Sequence, residues 1–189
     1  MRALLVIVSV LTLAAAAFAA WPRASHTRVD PCGATTAKPS EIGLAAAGRA
    51  TLCLLNRERT QAGLLPLREN GLLTASSLEH SEDMIRSHYF EHTSPDGRSV
   101  GDRLRAVGYS RGFSASAGEN IAFGAGSRAS PAHIVDIWMA SPPHRADILR
   151  AAFTEIGIGI ALGVPGGKTD GATYTTDFGG VVDPSLPQG

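Results

Sequence analysis

The sequence predicts an α+β fold in which helices pack on a small antiparallel sheet. Three observations lead there. Helix-like apolar spacing and helix caps dominate the stretch from Ser40 to Ala140. Two strand-like runs, Glu155 to Leu162 and Thr173 to Gly179, close the chain around a glycine-rich loop. No segment repeats, so the elements belong to one domain of the 189-residue chain.

The elements follow in order. Arg2 is the one charge before an apolar run from Ala3 to Ala20, and Ala17-Phe18-Ala19 offers the small residues of a cleavage site. Residues 1–19 therefore read as a signal peptide, cut before Ala20. An uncleaved run of this length would instead be a membrane anchor, and both outcomes place the rest outside the cytoplasm. Residues 20–39 are a linker of Pro, Thr, Ser and Ala, 40–183 the domain and 184–189 a tail. Ser40-Glu41 caps a first helix that runs to Gln61, with Gly63 at its end and Leu44, Leu52 and Leu55 on its apolar face. Leu64, Leu65 and Leu67 around Pro66 form an extended connector. A second helix spans Leu72 to His88, and Thr93 to Gly97 is a turn. Val100 to Val107 is a short helix, Gly118 to Phe123 a strand, and Ser130-Pro131 opens a third long helix to Ala140. Ser141-Pro142-Pro143 breaks that helix, and a short turn carries His144 to Leu149.

Composition excludes some functions. Seventeen basic and seventeen acidic residues leave no net charge, and no basic stripe is present, so nucleic acid and anionic membranes are poor partners. A chain of this size builds its own core, so a monomer that folds without a cofactor is expected. The two cysteines, Cys32 and Cys53, lie in an exported chain and are expected to join the linker to the first helix, the alternative being two free thiols.

Two motifs mislead. Gly108 to Gly112 matches the GxSxG pattern, but a nucleophile elbow needs a strand before the serine and here a helix precedes it. His88 to His92 matches HxxEH, which needs one helix through both histidines, and the turn at Thr93 argues against that. More is carried by three segments that end elements: Tyr89-Phe90-Glu91-His92, Gly118-Glu119-Asn120-Ile121-Ala122, and Trp138 to Arg145. His92, Glu119 and His144 supply two imidazoles and a carboxylate, a donor set for zinc or another divalent cation and equally for acid–base chemistry. Local hydrogen bonding of isolated polar residues is the plainer reading. His80, His88 and His133 read as helix-surface residues, the alternative for His133, one turn inside the third helix, being the cavity rim. His26 lies in the linker.

At these segments the chain resembles the bacterial branch of the CAP superfamily, the cysteine-rich secretory, antigen 5 and pathogenesis-related class 1 proteins. The resemblance runs from Leu52 to Gly179 through Leu54-Leu55-Asn56-Arg57-Glu58, Phe90-Glu91-His92, Asp102-Arg103-Leu104, Gly118-Glu119-Asn120, Trp138 to His144, and Tyr174-Thr175-Thr176-Asp177-Phe178-Gly179. It implies a three-layer α-β-α sandwich and a shallow cavity in which His92, Glu119 and His144 face a divalent metal. Two positions on the cavity rim depart from the family pattern: Ser141 stands where a second glutamate is common, and Thr176 where glutamine is common. Both departures weaken a catalytic role more than a metal-binding one. The resemblance favours an extracellular binding or interaction module for an unidentified cell-wall, lipid or protein ligand. The alternatives are an extracellular metal-dependent hydrolase and a carrier of a lipid or other apolar ligand. The chemistry permits three protein ligands, or two histidines with waters held by Glu119.

Overall fold

The computed structural model describes residues 30–109, 115–167 and 170–181. The expected signal peptide at 1–19, the expected linker up to residue 29, Ser110 to Gly112 of the GxSxG motif and the expected tail at 184–189 lie outside them. Among the described residues no helix is long and apolar enough to cross a membrane.

The first helix divides in two. Gly43 adopts φ +84°, so α1 (Pro39–Ile42) ends there and α2 (Leu44–Gln61) starts afresh. The buried face of α2 is Ala47, Ala50, Thr51, Leu54 and Leu55, small residues first, which lets the helix lie close to the sheet. Leu52 packs at the margin of that core, whereas Leu44 is 41% exposed, against the sequence expectation. The extended connector ends in a two-residue strand, β1 (Arg68–Glu69), too short to leave a period in the sequence. Then follow α3 (Gly71–Arg86), α4 (Val100–Ala106), β2 (Ala115–Ala125), a 3₁₀ turn, α5 (Pro131–Ala140), α6 (Pro142–Ile148), β3 (Glu155–Leu162) and β4 (Gly171–Val181).

The sheet order is β1-β3-β4-β2. β3, β4 and β2 are antiparallel as expected, but β1 runs parallel to β3, so the sheet is mixed. Side-chain parity along β3 sets the layers. Ile156, Ile158 and Ile160 join Leu54, Leu55, Trp138, Tyr174 and Phe178 in one core between the sheet and α2 and α5. Gly157 and Gly159, on the opposite face, lie under α3. A Cβ at Gly157 would sit 2.0 Å from the Leu73 carbonyl carbon, and one at Gly159 2.1 Å from the Leu78 nitrogen. The α-β-α sandwich therefore depends on two glycines that let α3 touch the strand backbone.

The two interfaces differ in chemistry. The α2/α5 side is apolar and includes a Phe153–Phe178 stack with centroids 5.5 Å apart. Trp138, fully buried, donates its indole N–H to the Ile121 carbonyl at 3.1 Å. The α3 side is polar: Ser76, Ser77, His80 and Ser81 face the sheet, and Ser81 Oγ lies 2.8 Å from Thr175 Oγ1 and 3.0 Å from the Gly159 carbonyl oxygen. Two cross-braces complete the domain. Cys32 and Cys53 form a disulfide with Cα atoms 5.4 Å apart. Arg59, 1% exposed, donates to the carbonyls of Leu65, Ile148, Arg150 and Phe153 at 2.7–3.1 Å, which fastens the loop after α6 onto α2.

Candidate functional site

The site begins where α3 stops. His88 takes a left-handed φ of +55°, and the chain turns back along its own helix. The Tyr89 hydroxyl then donates to Asp83 Oδ2 at 2.6 Å, and His80 Nε2–H donates to the Glu91 carbonyl at 3.1 Å. These bonds hold the segment that delivers His92. They also correct the reading of His80: it is fully buried, beneath the site, and not on the helix surface. Burial lowers its pKa, with the Glu119 charge opposing, so the ring is neutral. His88 is exposed as expected, and its turn excludes the continuous helix that HxxEH requires.

Glu119 is the centre of the arrangement. It projects from β2 toward α3 and its side chain is 2% exposed. One oxygen meets His92 Nδ1 at 2.8 Å, and the other accepts from Arg103 Nη2 at 2.5 Å. Arg103, on α4 and 1% exposed, also donates to the His92 carbonyl at 3.0 Å and the Arg98 carbonyl at 3.2 Å. Burial pushes the Glu119 pKa up, but the His92 bond and the charge and hydrogen bond of Arg103 outweigh it and hold the carboxyl below its ordinary value. The same bond raises the His92 pKa against partial desolvation.

A second carboxyl stands behind the first. Strand register places Asp177 directly opposite Glu119, on the same face. Asp177 is fully buried, and burial followed by repulsion from Glu119 pushes its pKa up to about 8, against the Ser76 and Ser77 hydroxyls and Arg103. The pair thus splits its protonation: Glu119 charged, Asp177 neutral.

His144 approaches from the other side of β2. Asn120, next along the strand, donates its amide to the His144 carbonyl at 3.1 Å. The imidazole lines a groove of about 250 Å³ with Phe90, Phe123, Ile137 and Ser141. Burial first, then the nearby His92 charge, lowers its pKa, and its Nδ1 is buried without a partner among the described residues. Ser141 lines the same groove. Thr176 does not: it is fully buried beneath Asn120, its hydroxyl 3.5 Å from the Asn120 carbonyl, because its parity turns it into the α2/α5 layer. His133 lies in a separate hollow with Phe123 and Arg128.

The donor set fits two imidazoles better than three ligands. Both Glu119 oxygens are turned to His92 and Arg103, and no three His, Cys, Asp or Glu side chains among the described residues converge as a metal site. His92 keeps Nε2 free on a ring that is 53% exposed, with Glu119 orienting it from behind. The residues that sequence reasoning missed are His80, Arg103 and Asp177. His80 had a signal, since it shares the 73-77-80-84 spacing of the buried face of α3.

Residues 52–177 match the sequence profile of CAP, the cysteine-rich secretory protein family. The chain belongs to this family. The chain is 38% identical to the uncharacterized protein YkwD of Bacillus subtilis over 125 residues, which is 66% of this chain and 46% of YkwD. An extracellular protein of Bacillus anthracis that contains an SCP domain superposes with TM-score 0.58 at 30% identity, covering 71% of this chain and 40% of that one. An outer surface protein of Borrelia burgdorferi shares the fold, with TM-score 0.59 at 18% identity over 69% of this chain and 90% of its own. This CAP chain spans less than half the length of the curated relatives it matches.

Proposed function

We propose that this CAP protein is exported and works as an extracellular binding module whose cleft takes a divalent cation between His92 and His144. One observation carries the reading. Glu119, anchored by buried Arg103, grips His92 Nδ1 at 2.8 Å and leaves Nε2 free on a half-exposed ring whose charge reaches the neutral His144. A carboxylate behind a histidine sets its tautomer and raises its basicity toward a metal. A cation held there would supply Lewis acidity and open positions for ligand oxygens. The chain's own residues orient His92, keep His144 neutral and deny Glu119 to the metal. The leader, and the extracellular and outer-surface settings named for two relatives, support export. A second reading has its own support: the groove at His144, with Phe90 and Phe123 edge to face at 4.8 Å, suits an apolar ligand.

Calorimetry with zinc on the full chain tests the proposal. The His92→Ala, His144→Ala double variant should abolish binding, while Glu119→Gln should weaken it by about tenfold, the lower end for a residue behind a ligand. Affinity should fall as pH drops, because both rings must be unprotonated and His92 holds its proton above the ordinary histidine value. Zinc binding that is unchanged in the double variant would overturn the reading.

A further inference from the structure

At the sheet edge opposite β2 lies an unfilled strand position. β1 pairs with Glu155 and Ile156 only and then leaves the sheet as α3 begins. The N–H groups of Arg68 and Asn70 donate to the carbonyls of Thr154 and Ile156 at 3.0 and 2.9 Å, so Ile156 faces the β1 edge. At the far end Gly163 N–H donates to the Gly171 carbonyl at 2.9 Å, so odd-numbered residues of β3 bond to β4. Alternation along an antiparallel strand then turns the N–H and C=O of Ile158 and Ile160 toward the β1 edge. Among the described residues no strand or side chain meets them there.

The space beside them is open and largely apolar, with Arg49, Glu69, Glu82 and Arg86 also lining it. A groove of about 380 Å³ runs from Glu69 past Leu44 and Leu78 along Ile158 and Ile160, and a second of about 490 Å³ continues past Ile85 to Leu162. Leu44, Leu78 and Leu162 are 41%, 36% and 51% exposed along its walls. Among the described residues two independent features therefore coincide in one lane: backbone groups without partners and apolar side chains without cover.

We propose that this lane binds an extended peptide segment of a partner protein, which adds as a strand to β3 in line with β1. Unpaired strand groups recruit a peptide backbone, and apolar flanks select alternate apolar side chains. From Ile158 to Leu162 the lane is roughly 13 Å long at about 3.3 Å per residue, room for about five residues. A second folded copy does not fit. Ile158 and Ile160 are only 7% and 4% exposed, so the edge is recessed between α2 and α3. A contact of this length also falls far short of the roughly 800 Å² per partner of a stable dimer. The lane is on the opposite edge of the sheet from His92 and Glu119, so the inference stands apart from the metal reading.

Amide hydrogen exchange on the full chain, resolved by NMR, is the test. In the free protein Ile158 and Ile160 should exchange at least about tenfold faster than Gly157 and Gly159, which bond to β4. The probe is a pool of capped heptapeptides with Val, Leu, Phe and Thr at alternate positions. Bound at millimolar concentration, it should slow Ile158 and Ile160 by about tenfold and leave His92 and His144 resonances in place. The same peptides N-methylated at alternate amides should lose binding, and so should Leu78→Glu, a change at an exposed wall that leaves thermal unfolding near wild type. The proposal is overturned if Ile158 and Ile160 are already as protected as Gly157, which means that another part of the chain or a second copy fills the lane. It is equally overturned if N-methylated peptides bind as well, or if the pool leaves both amides unchanged.

Discussion

Replacing Glu119 by Gln removes one buried negative charge and leaves the shape of the side chain intact. In the wild type that charge faces Arg103 at 2.5 Å, with the two side chains 2% and 1% exposed. Breaking a buried pair from one side costs roughly 3–5 kcal/mol, since the surviving charge stays desolvated. Two features pull the cost toward the lower end. Arg103 keeps the His92 and Arg98 carbonyls, and Asp177, relieved of its neighbour, can take up part of the charge. We expect a loss of about 3 kcal/mol at pH 7 by urea denaturation, and a fall in Tm of roughly 6–12 °C. Arg103→Met should cost a similar amount. The double variant should lose less than the sum, by about 2 kcal/mol, because no orphan charge remains. The His92 titration followed by NMR should drop toward the ordinary histidine range, as the bond that raises it is lost. A loss under about 1 kcal/mol together with an unmoved His92 titration would refute the argument that Glu119 is the charged hub.

Other outcomes follow from the same structure. Asp177→Asn should stabilise the protein at neutral and alkaline pH and change little near pH 4. The folded carboxyl titrates at about 8 and the unfolded one near 3.9, so wild-type stability falls as pH rises through that window. A gain independent of pH would contradict the raised value. Gly159→Ala should cost more than about 3 kcal/mol or prevent folding, since its Cβ would meet α3 backbone at 2.1 Å; near-wild-type denaturation would show that α3 can move. Replacing Cys32 and Cys53 by Ser should cost about 3 kcal/mol, as their bond closes a loop across 21 positions. A smaller loss in guanidinium titration would mean that the linker is held by other contacts.

The elements were legible where local chemistry decides them. Caps, prolines and apolar spacing placed α3, α4, α5, β3 and β4 within a few residues of their observed ends. Gly43 ended α1 early because its positive φ left no trace beyond the glycine itself. β1 escaped notice because two residues carry no period, and its parallel pairing is decided entirely by where α3 sends the chain.

The sequence by itself determined the disulfide pair and the layered α+β class, and its family resemblance singled out His92, Glu119 and His144. Only the tertiary structure decided what those residues do to one another. Side-chain parity put Thr176 into the core and Asp177 against Glu119, one position apart in the chain and on opposite faces of the sheet. The backward turn at His88 brought Glu91 to His80 and converted a helix-surface histidine into a buried support. Protonation followed from those contacts, not from residue type: one carboxyl is held charged by an arginine 16 positions away, and its neighbour is kept neutral by burial and by that same charge. Electrostatic energies depend on distance and desolvation in three dimensions, so a chain position states which group is present and only the packed structure states its charge.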